Sequence, residues 1–180
     1  MNLLQEKIQK RSKVMAVIVM ILIVSLALGL LVPIAILTWI AIDPNVDFTV
    51  FSGLSIYSST GIIVESIGEV KAEMCTIIVS GLLIGSMFLK AFTMFRSISK
   101  DVAPFSKPNA KKLKSIAAVL IVYSIVVPVA RAGFYKSFAP DISMNTSIDA
   151  SFVVLALIFS FIALLFDYGA ELQRESDELL

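Results

Sequence analysis

The sequence predicts an all-α, polytopic membrane protein with four transmembrane helices and both termini in the cytoplasm. Three observations support this fold class. Of the 180 residues, 58% are hydrophobic and 16% are charged, whereas soluble domains are about 45–50% apolar and about 25% charged. The apolar residues form long runs that few charges interrupt. The basic residues cluster at alternate connections between these runs, as they do in polytopic membrane proteins.

Four runs are long enough to cross a bilayer, for which roughly 20 helical residues suffice. The first, 14–42, follows four basic residues and contains Pro33, which could kink it. It is too long for a signal-peptide core, so we interpret it as a retained signal anchor. Asn109 is the predicted N-cap of the third helix. The other predicted spans are 74–95, 113–135 and 150–167, and the whole chain, 1–180, is predicted to be one membrane domain.

The charges between the spans determine the predicted orientation. The segment 90–114 carries seven basic residues and one acidic residue. The segment 43–73, by contrast, has one basic and five acidic residues. Because short basic loops stay in the cytoplasm, we expect a cytoplasmic loop at 96–112 and external segments at 43–73 and 132–149. We predict a multi-pass protein of the cell membrane.

The external segment 43–73 divides into two parts. Aromatic and β-branched residues on both sides of a turn at 58–61 predict a small β-hairpin. Glu65, Glu69 and Glu73 recur at every fourth position, so we expect a helix that continues into the second span with its acids on a solvated face. These acids could also bind a cation or a basic peptide. The candidate external ligand residues are Asp43, Asp47, Glu65 and Glu69.

Small residues in the first two spans predict close helix packing, either within one chain or in a homodimer. One pair, Ser25 and Gly29, lies in the first span, and the other, Gly81 and Gly85, lies in the second. The third span contains Arg131 close to its external end. We expect this long side chain to snorkel towards the headgroups rather than to act in the membrane.

Residues that commonly carry catalysis are scarce. The chain has no His and one Cys, which removes the commonest general base and any internal disulfide. No nucleophile with a partner base, phosphate loop or metal-ligand spacing is visible. We therefore expect no enzyme activity, no cofactor, no metal and no direct binding of nucleic acid. This composition favours binding or signalling, with the lipid bilayer as one partner.

Two segments carry sequence motifs. Residues 104–117, PFSKPNAKKLKSIA, resemble the pattern PFt-x-x-N-x-x-rLr-x-ia before a third span. Residues 168–178, YGAELQRESDE, resemble G-x-x-Lq-x-e-x-DeT after a fourth span, although Leu179 stands where Thr is frequent. With four spans in a short chain, these motifs resemble those of the bacterial family catalogued as domain of unknown function 2975.

The resemblance implies a protein partner. Members of that family are often encoded beside a very small Cro/C1-type helix-turn-helix protein, which implies a membrane protein that holds a transcription factor at the membrane. Both motif segments are cytoplasmic in the predicted topology. The helical tail 167–180 is acidic and the segment 90–114 is basic, so they could also dock on each other. The predicted partner-binding residues are Pro104, Phe105, Asn109, Lys112, Leu113, Gly169, Leu172, Gln173, Glu175 and Asp177.

Two other functions stay open at this point. A self-immunity protein would bind a bacteriocin-like peptide at the external acids. A small transport or channel subunit would place polar residues along one helix face, but the spans offer only scattered hydroxyl groups. These spans also lack a central acidic residue of the kind that proton-coupled transporters use.

Overall fold

The computed structural model describes residues 3–43, 45–46, 64, 66–100, 105–142 and 147–178. Within these ranges the chain forms four α-helices and no strand, and each helix is long and apolar enough to cross a membrane. This confirms the predicted fold class of an all-α multi-pass membrane protein. The hairpin predicted around 58–61 lies outside the described residues. The helices are α1, Leu3–Ile42; α2, Ile67–Lys100; α3, Lys107–Phe138; and α4, Ala150–Glu178.

All four helices are longer than an apolar run alone requires. Helix α1 begins within the basic N-terminal segment, and α4 continues through most of the acidic tail. Lys, Glu, Gln, Arg and Leu dominate these extensions, and they are good helix formers. The charged segments are therefore presented on helices that continue from the apolar runs.

Helix α2 begins after Ser66, which caps it. The Ser66 hydroxyl accepts a hydrogen bond from the Glu69 backbone N–H at 3.2 Å, and it donates one to Glu69 Oε1 at 2.8 Å. The Ser-x-x-Glu spacing thus satisfies a backbone donor at the helix start. Helix α2 continues through Glu73, as the spacing of the glutamates predicted.

The prediction that Asn109 is the N-cap of α3 was wrong. Helix α3 begins at Lys107, so Asn109 lies inside its first turn and is 1% exposed. The Ser106 carbonyl accepts hydrogen bonds from the backbone N–H groups of Asn109 and Ala110, both at 3.0 Å, and Ser106 therefore holds the cap position. Pro108 is compatible with this first turn because its missing N–H would have no partner within the helix there.

Helix α1 packs through one narrow stripe. Its less exposed positions are separated alternately by four and three residues, the repeat of a helix that contacts its neighbours along a single seam. The rest of its surface is mainly apolar and exposed, as expected where lipid would surround it. The stripe consists of Ser12, Ala16, Val19, Ile23, Leu26, Leu30, Pro33, Leu37 and Ile40.

The two predicted small-residue pairs have different surroundings. A Cβ atom on Gly81 would lie 2.5 Å from a methyl carbon of Leu30, so Gly81 lets α2 approach α1 closely. Ser25 and Gly29 are exposed and lie off the α1 stripe, and a Cβ on Gly29 would meet no described atom within 4 Å. Of the two predicted packing modes, packing within the chain does not apply to this pair in the described part of the chain, and packing in a homodimer stays a prediction.

The chain divides into two compact units. The first comprises Met1–Ser25, Leu83–Ser124 and Asp149–Leu180. Its core joins all four helices, because Ile8 of α1 packs against a buried cluster from the other three. A second apolar cluster in this unit joins α2, α3 and α4. The first cluster contains Met94, Ile98, Leu113 and Ala163, and the second contains Ile116, Leu120 and Ala156.

The second unit comprises Leu26–Leu82 and Ile125–Ile148. One cluster packs Ile40 of α1 against Val70 and Met74 of α2. Another packs Ala72 of α2 against Tyr135 of α3 and Ala139 just after it. Opposite faces of the first turns of α2 thus contact different neighbours, which explains why this charged part of α2 is buried.

Candidate functional site

The two motif segments lie against each other in the first unit. The ring of Phe105 meets the ring of Phe166 edge-on, with centroids 5.2 Å apart and planes inclined at 60°. A Cβ atom on Gly169 would lie 2.9 Å from the Phe105 side chain. The absence of a side chain at Gly169 therefore lets the Phe105 ring rest directly on α4.

Two ion pairs flank this aromatic contact. Lys107 Nζ lies 3.2 Å from Glu171 Oε2, and Lys114 Nζ pairs with Asp167 Oδ2. The four side chains are all more than one third exposed, so each pair contributes only about 0.2–1 kcal/mol. Acidic residues of the tail thus dock on basic residues of the segment 90–114, as their opposite charges predicted.

A further contact fixes the start of α3. Lys112 Nζ donates a hydrogen bond to the Thr93 carbonyl oxygen of α2 at 3.1 Å. Leu113, the next residue, is 3% exposed and packs in the cluster with Met94 and Ile98. The first motif segment is therefore held by α2 on one side and by α4 on the other.

The ten predicted partner-binding residues fall into different environments. Asn109 and Leu113 are 1% and 3% exposed, so they lie too deep to touch a partner. Lys112 and Gly169 are half-buried in helix contacts. Pro104 and the side chain of Asp177 lie outside the described residues. The exposed candidates are Phe105, Leu172, Gln173 and Glu175.

The tail is exposed on one side in its first turn and on all sides from Leu172 to Ser176. Tyr168, Leu172 and Glu175 follow each other at intervals of four and three residues, which places them on one helix face. Tyr168 is 66% exposed and Leu172 is 48% exposed. We call these three residues the tail surface. Tyr168 was not among the predicted binding residues, although its spacing from Leu172 already indicated a common face.

The second unit contains a buried charged cluster. Arg131 Nη2 lies 2.5 Å from Glu73 Oε1, and the Tyr135 hydroxyl donates a hydrogen bond to the same oxygen at 2.8 Å. The Arg131 guanidinium also lies 5.5 Å from the centroid of the Tyr135 ring. Arg131 is 9% exposed, and Glu73 and Tyr135 are 2% and 1% exposed. Helices α2 and α3 are therefore joined here by an ion pair shielded from solvent.

Two predictions about these charges were wrong. Arg131 does not extend away from the protein, because Glu73 offers it a buried counter-ion. The face with Glu69 and Glu73 is not solvated, since both side chains are less than 9% exposed. Burial of a carboxylate is less costly when it has a partner: Glu73 is paired with Arg131, and Glu69 accepts a hydrogen bond from the Ser66 hydroxyl.

The external ligand candidates do not form a described cluster. Asp43 is exposed, and its Oδ1 accepts a hydrogen bond from the Asn45 backbone N–H at 3.2 Å. Glu69 is buried, and its carboxylate accepts a hydrogen bond from the Ser66 hydroxyl. Asp47 and Glu65 lie outside the described residues. In the described part of the chain, no three metal-ligating side chains come together.

The fold and sequence together define the class of this protein. Its four apolar helices are those of a small multi-pass membrane protein. A family model described as "Protein of unknown function (DUF2975)" matches residues 39–179, which is most of the chain, so the chain belongs to this family. No curated protein and no solved structure matches the chain.

Proposed function

We propose that this protein is a membrane-bound regulator that binds a small cytoplasmic helix-turn-helix transcription factor and sequesters it at the membrane. The observation that carries the proposal is the tail surface, where Tyr168 and Leu172 are exposed on a helix whose other side is docked on the protein. The class of the partner follows from the motif resemblance described above.

The tail surface suits a protein partner because it combines an apolar centre with acidic surroundings. Tyrosine is common among the residues that contribute most to binding energy, and Leu172 extends the apolar area beside Tyr168. The tail from 167 onwards carries five acidic residues and one basic residue. DNA-binding proteins present a basic face, so an acidic helix would attract that face and compete with DNA for it.

The docked position of the tail favours affinity. Phe105, Lys107 and Lys114 hold the first turns of the tail against α3. A partner therefore meets a helix that is already formed, and it does not have to offset the entropy of ordering that segment. Phe105 and the two lysines therefore support the tail and do not contact the partner directly.

The proposed surface requires that the protein lies in the bacterial plasma membrane with its tail on the cytoplasmic side. The basic residues before 14 and those in the segment 90–114 support cytoplasmic placement of both segments, by the preference of basic loops for that side. Lys114 and Lys107 pair with tail residues, so the tail belongs on the same side as the basic segment.

Co-purification tests the proposal. The protein would be co-produced with a small Cro/C1-type helix-turn-helix protein as the candidate partner and purified in mild detergent, as wild type and as a Tyr168→Ala/Leu172→Asp variant. Loss of the apolar anchors should reduce recovery of the partner at least about tenfold, since each 1.4 kcal/mol of lost binding corresponds to a factor of ten. Arg174→Gln, exposed on the opposite side of the same helix, is the matched control.

Equal recovery with the double variant would contradict the proposed surface. So would an equal loss with Arg174→Gln, because it would show a general effect on the tail. Thermal unfolding of the detergent-solubilised variant, without partner, establishes that the helices remain packed.

A further inference from the structure

A groove of about 580 Å³ lies along the beginning of α1, in the first unit. Its lining residues recur at the spacing i, i+3, i+4, i+7 and i+8, which places them on a single face of the helix. Three are basic and two are apolar, and the apolar pair lies one turn further into the chain. The lining residues are Lys7, Lys10, Arg11, Val14 and Met15.

The three basic side chains are available for a ligand. Lys7, Lys10 and Arg11 are exposed, and none forms an ion pair with another residue in the described part of the chain. The lysines of α3 differ in this respect, since Lys107 and Lys114 are paired with the tail. Concentrated positive charge without a counter-ion favours a ligand that brings its own negative charge.

The apolar lining lies at the boundary of a membrane span. Val14 and Met15 are 52% and 49% exposed, and Val14 is the first residue of the uncharged run 14–42. Ser12, Ala16 and Val19, which belong to the packed stripe of α1, lie on the opposite face. The groove therefore faces away from the packed side of α1, where lipid can reach it.

We propose that this groove binds the headgroup of an anionic phospholipid. The lipid phosphate would contact Lys7, Lys10 and Arg11, and an acyl chain would lie along Val14 and Met15. Clusters of Lys and Arg next to a span attract anionic lipids, and the arginine guanidinium can bind a phosphate through two hydrogen bonds. Lipid binding at this groove does not depend on the proposed protein partner, which binds the tail surface.

An acidic protein segment is the other class of ligand with suitable charge, and the observations favour lipid over it. A peptide would satisfy the three cations but would have no need of the apolar pair at the membrane boundary. The acidic tail of this chain already uses Asp167 and Glu171 in contacts with α3. A phospholipid matches both the basic and the apolar part of the groove.

Native mass spectrometry of the detergent-solubilised full-length protein tests the proposal, with phosphatidylglycerol and phosphatidylcholine as probes. Wild type should retain phosphatidylglycerol in preference to phosphatidylcholine by about tenfold or more, given three basic contacts. Lys7→Gln/Lys10→Gln/Arg11→Gln should lose that preference. Lys13→Gln/Lys111→Gln/Lys136→Gln removes the same charge from exposed positions outside the groove and should keep the preference.

Three results would overturn the proposal. One is an unchanged preference in the groove variant, and another is equal loss in both triple variants. The third is stronger phosphatidylglycerol retention after removal of 168–180, which would show that the tail occupies the groove. If the groove variant does not fold, wild type is instead crosslinked to photoreactive phosphatidylglycerol. Crosslinks at residues 7–15 support the site, and crosslinks confined to other residues overturn it.

Discussion

At the residue scale, the carboxylate of Glu73 shows how a charged side chain is accommodated inside this fold. It accepts hydrogen bonds from Arg131 and Tyr135, both on α3, while only 2% of it is exposed. Removing one member of such a buried pair is costly, because the remaining charge loses its partner and does not regain solvent.

We expect Glu73→Gln and Arg131→Met each to lower the free energy of unfolding by about 3–5 kcal/mol. Tyr135→Phe should cost about 1.5–3 kcal/mol, since it removes a hydrogen bond to a charged group and leaves the ion pair. Thermal unfolding in detergent would measure all three. Lys136→Gln, exposed on the same helix, is the control and should be neutral. Equal stability of Arg131→Met and Lys136→Gln would contradict the buried pair.

Two glycines give a second residue-scale prediction. A Cβ atom on Gly68 would lie 2.1 Å from the carbonyl oxygen of Phe138, a backbone atom that cannot rotate away. Gly133, inside α3, has no described atom within 4 Å of that position. Gly68→Ala should therefore destabilise by about 1–3 kcal/mol.

Gly133→Ala is the matched control and should stabilise by roughly 0.5–1 kcal/mol, because alanine favours the helix and no clash opposes it. Both variants would be compared by thermal unfolding in the same detergent. If Gly68→Ala unfolded at a higher temperature than Gly133→Ala, α2 would not approach Phe138 as closely as the structure shows.

At the scale of elements, the tail of α4 depends on contacts of different strength. The ion pairs that hold it are more than one third exposed, and such pairs contribute about 0.2–1 kcal/mol. The Phe105–Phe166 contact stabilises the docked tail in two ways, through the aromatic area that it buries and through its edge-on ring geometry. The aromatic contact should therefore dominate the docking of the tail.

We predict that Phe105→Ala speeds backbone hydrogen exchange of residues 168–178 more than Lys107→Gln does. Hydrogen-exchange mass spectrometry in detergent would measure this, because exchange reports local opening of a helix. Lys111→Gln, exposed in the same turn region of α3, controls for loss of charge. A larger effect of Lys107→Gln than of Phe105→Ala would assign the docking to electrostatics instead.

At the scale of the whole molecule, the four apolar helices were predictable because a bilayer imposes length and composition on any span. That the tail contacts α3 was predictable from the acidic charge of the tail and the basic charge of the segment 90–114. The partner of Arg131 was not, because Glu73 precedes it by 58 residues and no local pattern links them. Burial of Leu113 likewise depends on how α2 and α4 pack around α3.

The proposed orientation makes a prediction about surface labelling. In a Cys75→Ser background, which removes the one cysteine, Ser147→Cys should react with a membrane-impermeant maleimide added to intact cells. Ser176→Cys should react only after the cells are permeabilised, since both termini are proposed to be cytoplasmic. Both serines are exposed. The reverse labelling pattern would invert the proposed topology.

The location of the proposed partner in cells tests the central claim most directly. A fluorescently tagged helix-turn-helix protein should lie at the membrane when the wild-type chain is present. It should leave the membrane when the chain carries Tyr168→Ala/Leu172→Asp and is produced at the same level. A partner that stays away from the membrane with wild type, or remains there with the variant, would contradict sequestration through the tail surface.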